Sequence, residues 1–309
     1  MKDLLKLTKD ETNPIIEPRP GLDWEADGTF NPAAVAVGST THLLYRAVDQ
    51  NRVSRLGYAR SNGEGRCTFR SSAPVLEGTF DWEEFGCEDP RVSLLDGVYY
   101  VTYTAFSRRG PRVALASTQD FTHYEKHGLI GPDRDDKDCV LFPGRVDGKV
   151  LMLHRLGSKI QIAHFDNFES LSNSQEFWTK YVKHYDDFEL IGPRYPWEEL
   201  KVGVGAPPVR TDRGWLVIYH GVSAQRIYRA GALLLDLENP TKILARTKDP
   251  ILEPEREFEI HGIVPNVVFP EGATIQHGDL LVYYGGADRV SCLAKAPLDD
   301  FLDDLQKEA

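Results

Sequence analysis

The chain has 309 residues, of which 41% are hydrophobic and 27% charged, which excludes a disordered or fibrous protein and leaves enough apolar material for a sizeable core. Its formal net charge of −11 argues against a nucleic-acid partner, because holding a phosphate backbone needs a basic surplus. Any anion bound here must find a local basic cluster. Met1-Lys2-Asp3-Leu4-Leu5-Lys6 lacks the apolar core of a signal peptide, and no stretch approaches the ~20 apolar residues of a membrane span. The expectation is a cytoplasmic protein with no membrane partner. Cys67, Cys87, Cys139 and Cys292 are scattered without CxxC spacing, so neither a metal site nor a disulfide framework is implied. No linker divides the chain, and a single domain over residues 1–309 is expected.

A weak repeat of about sixty residues runs along the chain. Its first copy has the apolar pair of Pro14-Ile15-Ile16, then Pro32-Ala33-Ala34-Val35, Leu43-Leu44-Tyr45 and Leu56-Gly57-Tyr58-Ala59. The second has Pro74-Val75-Leu76, Pro90-Arg91-Val92-Ser93, the turn Asp96-Gly97, Tyr99-Tyr100-Val101 and Val113-Ala114-Leu115-Ala116. The third has Gly128-Leu129-Ile130, Pro143-Gly144-Arg145-Val146, the turn Asp147-Gly148, Leu151-Met152-Leu153 and Ile160-Gln161-Ile162-Ala163. The fourth has Glu189-Leu190-Ile191, Pro207-Pro208-Val209, Leu216-Val217-Ile218 and Ala232-Leu233-Leu234-Leu235. The fifth has Pro250-Ile251-Leu252, Pro265-Asn266-Val267-Val268, the turn His277-Gly278-Asp279, Leu281-Val282-Tyr283 and Leu293-Ala294. Apolar and β-branched runs separated by Asp-Gly-type turns read as hairpins, so each copy is a meander of about four strands. Only residues 297–309, with Leu298, Phe301, Leu302 and Leu305 at helical spacing, read as a helix, a terminal cap.

Five four-stranded repeats predict an all-β fold, a five-bladed β-propeller; a β-sandwich is the competing all-β reading. In a propeller the first strands line a central funnel. The residues before the five repeated prolines are Asn31, Asp89, Phe142, Ala206 and Val264, so the first two copies place polar side chains at its mouth. Those ending the second strands are Arg46, Thr104, Arg155, His220 and Gly285, three of them basic. Polar groups recurring at equivalent strand ends converge on one axis.

At these residues the sequence resembles glycoside hydrolase family 130, the β-mannoside phosphorylases and related mannosidases. The resemblance is carried by Thr29-Phe30-Asn31-Pro32-Ala33-Ala34-Val35, Glu88-Asp89-Pro90-Arg91-Val92, Val140-Leu141-Phe142-Pro143, Met152-Leu153-His154-Arg155, Ile218-Tyr219-His220-Gly221-Val222, Val264-Pro265-Asn266-Val267 and Tyr283-Tyr284-Gly285-Gly286-Ala287-Asp288. It implies the same five-bladed fold and makes Asp89 the catalytic acid, protonating the leaving oxygen through a hydroxyl of the −1 sugar. Burial is expected to raise its pKa for that task. It further implies phosphate binding by Lys137, Arg155, Lys201 and His220, with Lys137 standing where several members have Arg, and sugar binding by Asn31, Arg46 and Asp288.

The implied reaction is phosphorolysis of a β-1,4- or β-1,2-linked manno-oligosaccharide to α-mannose 1-phosphate, with inorganic phosphate as co-substrate, no cofactor and no metal. The alternatives are a β-mannoside hydrolase, with Glu88 or another carboxylate activating water, and a non-catalytic carbohydrate-binding propeller. Linkage and acceptor depend on residues 107–112 and 223–229, where Tyr103 and Tyr228 are candidates to stack on sugar faces. Oligomeric state, a homo-oligomer included, stays open.

Overall fold

The computed structural model describes residues 5–62, 65 and 67–308. Strands run β1 (Thr8–Lys9), β2 (Gly28–Val37), β3 (Thr40–Val48), β4 (Ser54–Ser61), β5 (Cys67–Arg70), β6 (Gly86–Leu95), β7 (Val98–Ser107), β8 (Gly110–Thr118), β9 (Glu125–Leu129), β10 (Lys137–Leu141), β11 (Val150–Arg155) and β12 (Ile160–Phe165). They continue with β13 (Glu189–Ile191), β14 (Lys201–Val204), β15 (Val209–Arg210), β16 (Trp215–Val222), β17 (Tyr228–Leu235), β18 (Ile243–Arg246), β19 (Val268–Gln276), β20 (Asp279–Gly286) and β21 (Val290–Pro297). Helices α1 (Phe168–Ser172) and α2 (Gln175–Tyr181) lie between β12 and β13, α3 (Glu257–Ile260) precedes β19, and α4 (Leu298–Gln306) follows β21.

The fold is all-β, and its strands form five antiparallel meanders: β2 to β5, β6 to β9, β10 to β13, β14 to β18, and β19 to β21 completed by β1. The first two share one sheet through a single parallel bridge, Ser54 to Gly86. The N-terminal strand thus belongs to the last sheet, with Thr8 opposite Lys295 on β21. Hairpin turns sit where the Asp/Gly signals predict them. Asp96-Gly97, Asp147-Gly148 and His277-Gly278 all have positive φ, as the tight turns that match strand twist require. The five apolar pairs each meet the third strand of a meander: Ile16 pairs with Ser291, Leu76 with Leu56, Ile191 with Ile160 and Leu252 with Ala230, while the Ile130 N–H donates to Val113 O.

Strand alternation buries both faces of these sheets. On β16, Leu216 and Ile218 face an apolar layer shared with the fifth meander, while Val217 and Tyr219 face one shared with the third. Similar layers join the second and third meanders, the first and second, and the fifth and first. A two-sheet sandwich would leave each sheet one outer face, so the competing all-β reading fails. The tail helix forms as expected, with Phe301, Leu302 and Leu305 buried. Helices α1 and α2 were not expected; the segment folds because Trp178 and Tyr181 bury against the third meander, with the Trp178 indole donating to Ile130 O at 2.7 Å.

The proline register holds in two meanders and shifts in three. Pro32 and Pro90 lie inside β2 and β6, but Pro143 follows β10, Pro207 follows β14, and Pro265 precedes β19. Proline tolerates any site lacking a ladder hydrogen bond, so it marks a bulge in one repeat and a strand end in another.

A second repeat holds the meanders together. One-turn helices Asp23–Glu25, Asp81–Glu83, Pro196–Glu198 and Glu257–Ile260 each bury a glutamate just ahead of a first strand. Each glutamate accepts from a tyrosine of the second strand and a cation of the fourth: Glu25 from Tyr45 (2.8 Å) and Arg70 (2.7 Å), Glu83 from Tyr103 (2.7 Å) and Lys126 (2.7 Å). Glu198 takes Tyr219 (3.0 Å) and Arg246 (2.5 Å), and Glu259 takes Tyr284 (2.7 Å) and Lys9 (2.6 Å). A buried carboxylate is stable only when its acceptors are filled, so each clamp ties the turn ahead of a first strand to the second and fourth strands. Burial pushes the Glu83 pKa up, but Lys126, the Thr79 N–H and Tyr103 outweigh it and hold the carboxyl below its ordinary 4.5. The stabilisation from Glu83 is therefore full above that pH and fades as acid protonates it. Glu83→Ala, which strands Lys126 and Tyr103, should cost about 3–5 kcal/mol at pH 7 in urea unfolding. A loss below about 1 kcal/mol would contradict the clamp.

Candidate active site

In the first three meanders the first strand is interrupted where its register shifts, between Phe30 and Ala33, Glu88 and Arg91, and Lys137 and Val140. Each interruption holds one left-handed residue: Asn31 (φ 51°), Asp89 (φ 50°) and Asp138 (φ 54°). Asn and Asp tolerate that conformation best among residues with a side chain, and the bulge turns the side chain out of the ladder. Directly across sit the second-strand positions picked out from sequence: Phe30 faces Arg46, Glu88 faces Thr104, Lys137 faces Arg155, Gly203 faces His220 and Phe269 faces Gly285. At Gly203 a Cβ would overlap the Asp138 carboxylate and the His220 ring, and at Gly285 it would overlap Asn31 Oδ1. Only glycine lets these groups close on one another.

The result is a pocket of ≈ 150 Å³ lined by all eight sequence-derived residues, Asn31, Arg46, Asp89, Lys137, Arg155, Lys201, His220 and Asp288. Tyr228 lines it too. Tyr103 does not, since its hydroxyl is spent on Glu83. Asp89 Oδ1 accepts from Asn31 Nδ2 (2.9 Å) and Arg46 Nη1 (3.1 Å). Glu88 pairs with Arg46 (2.7 Å) and Lys137 (3.5 Å), making it a counter-ion to two pocket cations. Sequence reasoning passed over Asp138, because the unit was aligned on Pro143. Its buried carboxylate pairs with Arg155 and Arg91 and lies 3.7 Å from His220 Nε2. The signal was present as Lys137-Asp138, matching Phe30-Asn31 and Glu88-Asp89.

The electrostatics correct two expectations. Burial pushes the Asp89 pKa up, but the charges of Arg46, Lys137 and Arg91 and the Asn31 amide outweigh it and hold it below the usual carboxylate range. These neighbours therefore keep Asp89 ionised at neutral pH, against the expectation that burial would leave it protonated. Burial, helped by Lys201, Arg155 and Arg91 against the opposing Asp138, pushes the His220 pKa down to about 3. At neutral pH His220 carries no charge, and its buried Nδ1 has no hydrogen-bond partner among the described residues. Burial lowers the Lys201 pKa, with Arg155 and Lys137 adding to the effect and Asp138 and Asp288 opposing it. Among the carboxyls lining the pocket, Asp288 is raised to about 6 by burial and by Asp89 and Glu88 against the pull of Arg46 and Lys137. Among the described residues no three His, Cys, Asp or Glu side chains are grouped to hold a metal ion.

The family model described as beta-1,4-mannooligosaccharide phosphorylase, that of glycoside hydrolase family 130, matches residues 6–307. The chain belongs to this family. Family 130 relatives include a 1,2-beta-oligomannan phosphorylase of Thermoanaerobacter sp., 38% identical over 96% of this chain and 99% of the relative. A beta-1,4-mannooligosaccharide phosphorylase of Ruminococcus albus is 30% identical over 95% of this chain and 89% of its own. Among solved structures, the beta-1,2-mannobiose phosphorylase of Listeria innocua in complex with beta-1,2-mannobiose superposes with a TM-score of 0.83 at 27% identity. That match covers 98% of this chain and 99% of the Listeria chain.

Asp288 makes the stability of this family 130 fold depend on pH. A carboxyl raised from 3.8 to about 6 stabilises the fold fully below pH 3.8 and loses that contribution as pH rises to about 6. Asp288→Asn should therefore melt higher than wild type at pH 8, by about 2 kcal/mol, with the advantage shrinking toward pH 4. A variant less stable at pH 8, or an advantage independent of pH, would show that Asp288 is not held up.

Proposed function

We propose that this chain is an inverting phosphorylase that moves the terminal mannosyl unit of a β-1,2-linked manno-oligosaccharide onto inorganic phosphate, giving α-mannose 1-phosphate and a shortened acceptor. The observation that carries the proposal is the charge of the pocket. Arg46, Arg91, Lys137, Arg155 and Lys201 meet around it in a chain of net charge −11. Glu88, Asp89, Asp138 and Glu271 pair with Arg46, Lys137, Arg155 and Arg91, whereas Lys201 has no carboxylate partner among the described residues and its ammonium is disfavoured by burial and by Arg155 and Lys137. A phosphate dianion supplies the partner that Lys201 lacks, and water does not. The 1,2-linkage follows the greater identity to the oligomannan phosphorylase than to the 1,4-acting relative.

In this reading Lys137, Arg155 and Lys201 hold phosphate with His220 as a neutral donor, and Asn31, Arg46 and Asp288 bind the sugar. A phosphate oxygen attacks C1 on the face opposite the glycosidic oxygen, and the C1–O bond breaks. The leaving oxygen takes its proton from Asp89 through a sugar hydroxyl, and the proton brought in by hydrogen phosphate restores Asp89. Phosphate binding also prepares the acid. It neutralises Lys137 and displaces water, removing part of what holds the Asp89 pKa down. Glu88 does not supply the second carboxylate that hydrolysis needs, being paired with Arg46 and Lys137.

The five meanders are read as five blades of one propeller domain around this pocket. Five inter-sheet apolar layers, the last between the fifth meander and the first, support that reading, as does β1 completing the final sheet. All four cysteines are free, in keeping with a reducing cytoplasm. The test incubates the enzyme with β-1,2- and β-1,4-mannobiose, with and without phosphate, and identifies the products. The proposal expects α-mannose 1-phosphate from the 1,2-linked sugar only when phosphate is present, and a fall in kcat of ~10²–10⁴ for Asp89→Asn. Free mannose released equally fast without phosphate would refute it.

A further inference from the structure

The third meander breaks the clamp rule in a way that bears on the phosphate site. Tyr45, Tyr103, Tyr219 and Tyr284 each immediately precede a pocket-level residue on a second strand, but on β11 that place is taken by His154, directly before Arg155. No aromatic–glutamate turn precedes β10; the acid there is Asp136, directly before Lys137. His154 Nδ1 lies 2.9 Å from Asp136 Oδ2, and both side chains are fully buried. His154 Nε2 lies 3.0 Å from the Tyr181 hydroxyl, which comes from α2 rather than from a fourth strand. That hydroxyl also lies 3.2 Å from Ile162 O on β12.

The exception falls in the meander that supplies two phosphate cations. Lys137 and Arg155 are register partners across β10 and β11, and Asp136 and His154 are their chain neighbours. Backbone movement at either inner residue is passed to the adjacent cation, since neighbouring side chains share one peptide unit. A lysine or arginine clamp would also bring a further cation behind a pair that already repels Lys201. We propose that Asp136, His154 and Tyr181 are positioning residues for phosphate, setting the spacing of Lys137 and Arg155 from beneath, with α2 as the element that anchors them. This rests on the reading that these two cations bind phosphate.

The test measures inorganic phosphate affinity by calorimetry on the full chain, together with KM for phosphate and for the mannoside, in His154→Ala, His154→Gln, Tyr181→Phe and Arg155→Ala. His154→Ala should weaken phosphate about tenfold, the scale of one lost buried hydrogen bond, with mannoside KM within about twofold of wild type. His154→Gln, which can still donate to Asp136, should recover part of the loss. Tyr181→Phe, the mildest change, should weaken phosphate about threefold. Equal effects on both substrates, or no effect in a folded Tyr181→Phe enzyme together with no rescue by His154→Gln, would overturn the inference. If Arg155→Ala weakens phosphate selectively while the His154 variants do not, the inference fails alone. A wild type indifferent to phosphate would remove both it and the functional reading.

Discussion

The arrangement of the pocket depends on one buried guanidinium. Arg91 is 1% exposed on β6, and its nitrogens reach Asp89 O (3.1 Å) in its own meander, Asp138 Oδ1 (3.4 Å) in the third, Gly205 O (3.2 Å) and Val204 O (3.4 Å) beside the fourth, and Glu271 Oε1 (3.0 Å) in the fifth. A buried cation is tolerated only when acceptors surround it, and here they come from four of the five meanders. Burial pushes the Glu271 pKa well up, against the pull of Arg91. The guanidinium thus ties the sheets together and adds to Arg46 and Lys137 in holding the Asp89 pKa down.

Much of this was legible in the chain. The repeat count, the hairpin turns and the outer apolar pairs follow from period-two alternation and turn chemistry, which act locally. Arg46, Thr104, Arg155, His220 and Gly285 could be placed in a ring because second strands run unbroken from turn to rim, preserving register. First strands carry bulges, and a bulge adds a residue that sequence spacing does not reveal. Asp138 was lost for that reason, its bulge falling five residues before Pro143. The recurring pairs Trp24-Glu25, Trp82-Glu83 and Trp197-Glu198 were a visible signal, but a glutamate beside a tryptophan reads as surface until its tyrosine and cation, each some twenty or more residues away, are brought to it.

The pKa directions were not legible, because burial and charge oppose each other and only geometry decides which prevails. Asp89, buried, and Asp288, partly buried, both have left-handed backbone in one pocket. At Asp89 the charges of Arg46, Lys137 and Arg91 outweigh burial and hold the carboxyl down, whereas at Asp288 burial, with Asp89 and Glu88, outweighs Arg46 and Lys137 and holds it up. The pocket takes Lys137, Arg155, Lys201 and His220 from the third and fourth meanders and Asn31, Arg46, Asp89 and Asp288 from the first, second and fifth, which suits an anionic nucleophile on one side and a sugar with its proton donor on the other.

The most direct test of that division is a crystal structure of the full chain with inorganic phosphate and a β-1,2-linked mannobiose. The account predicts a phosphate within hydrogen-bond distance of Lys137, Arg155 and Lys201, and a mannosyl ring between it and Asp89 with C1 facing a phosphate oxygen. A phosphate seated elsewhere, or a mannosyl ring whose C1 faces Glu88 or Asp288 across a water molecule, would contradict it.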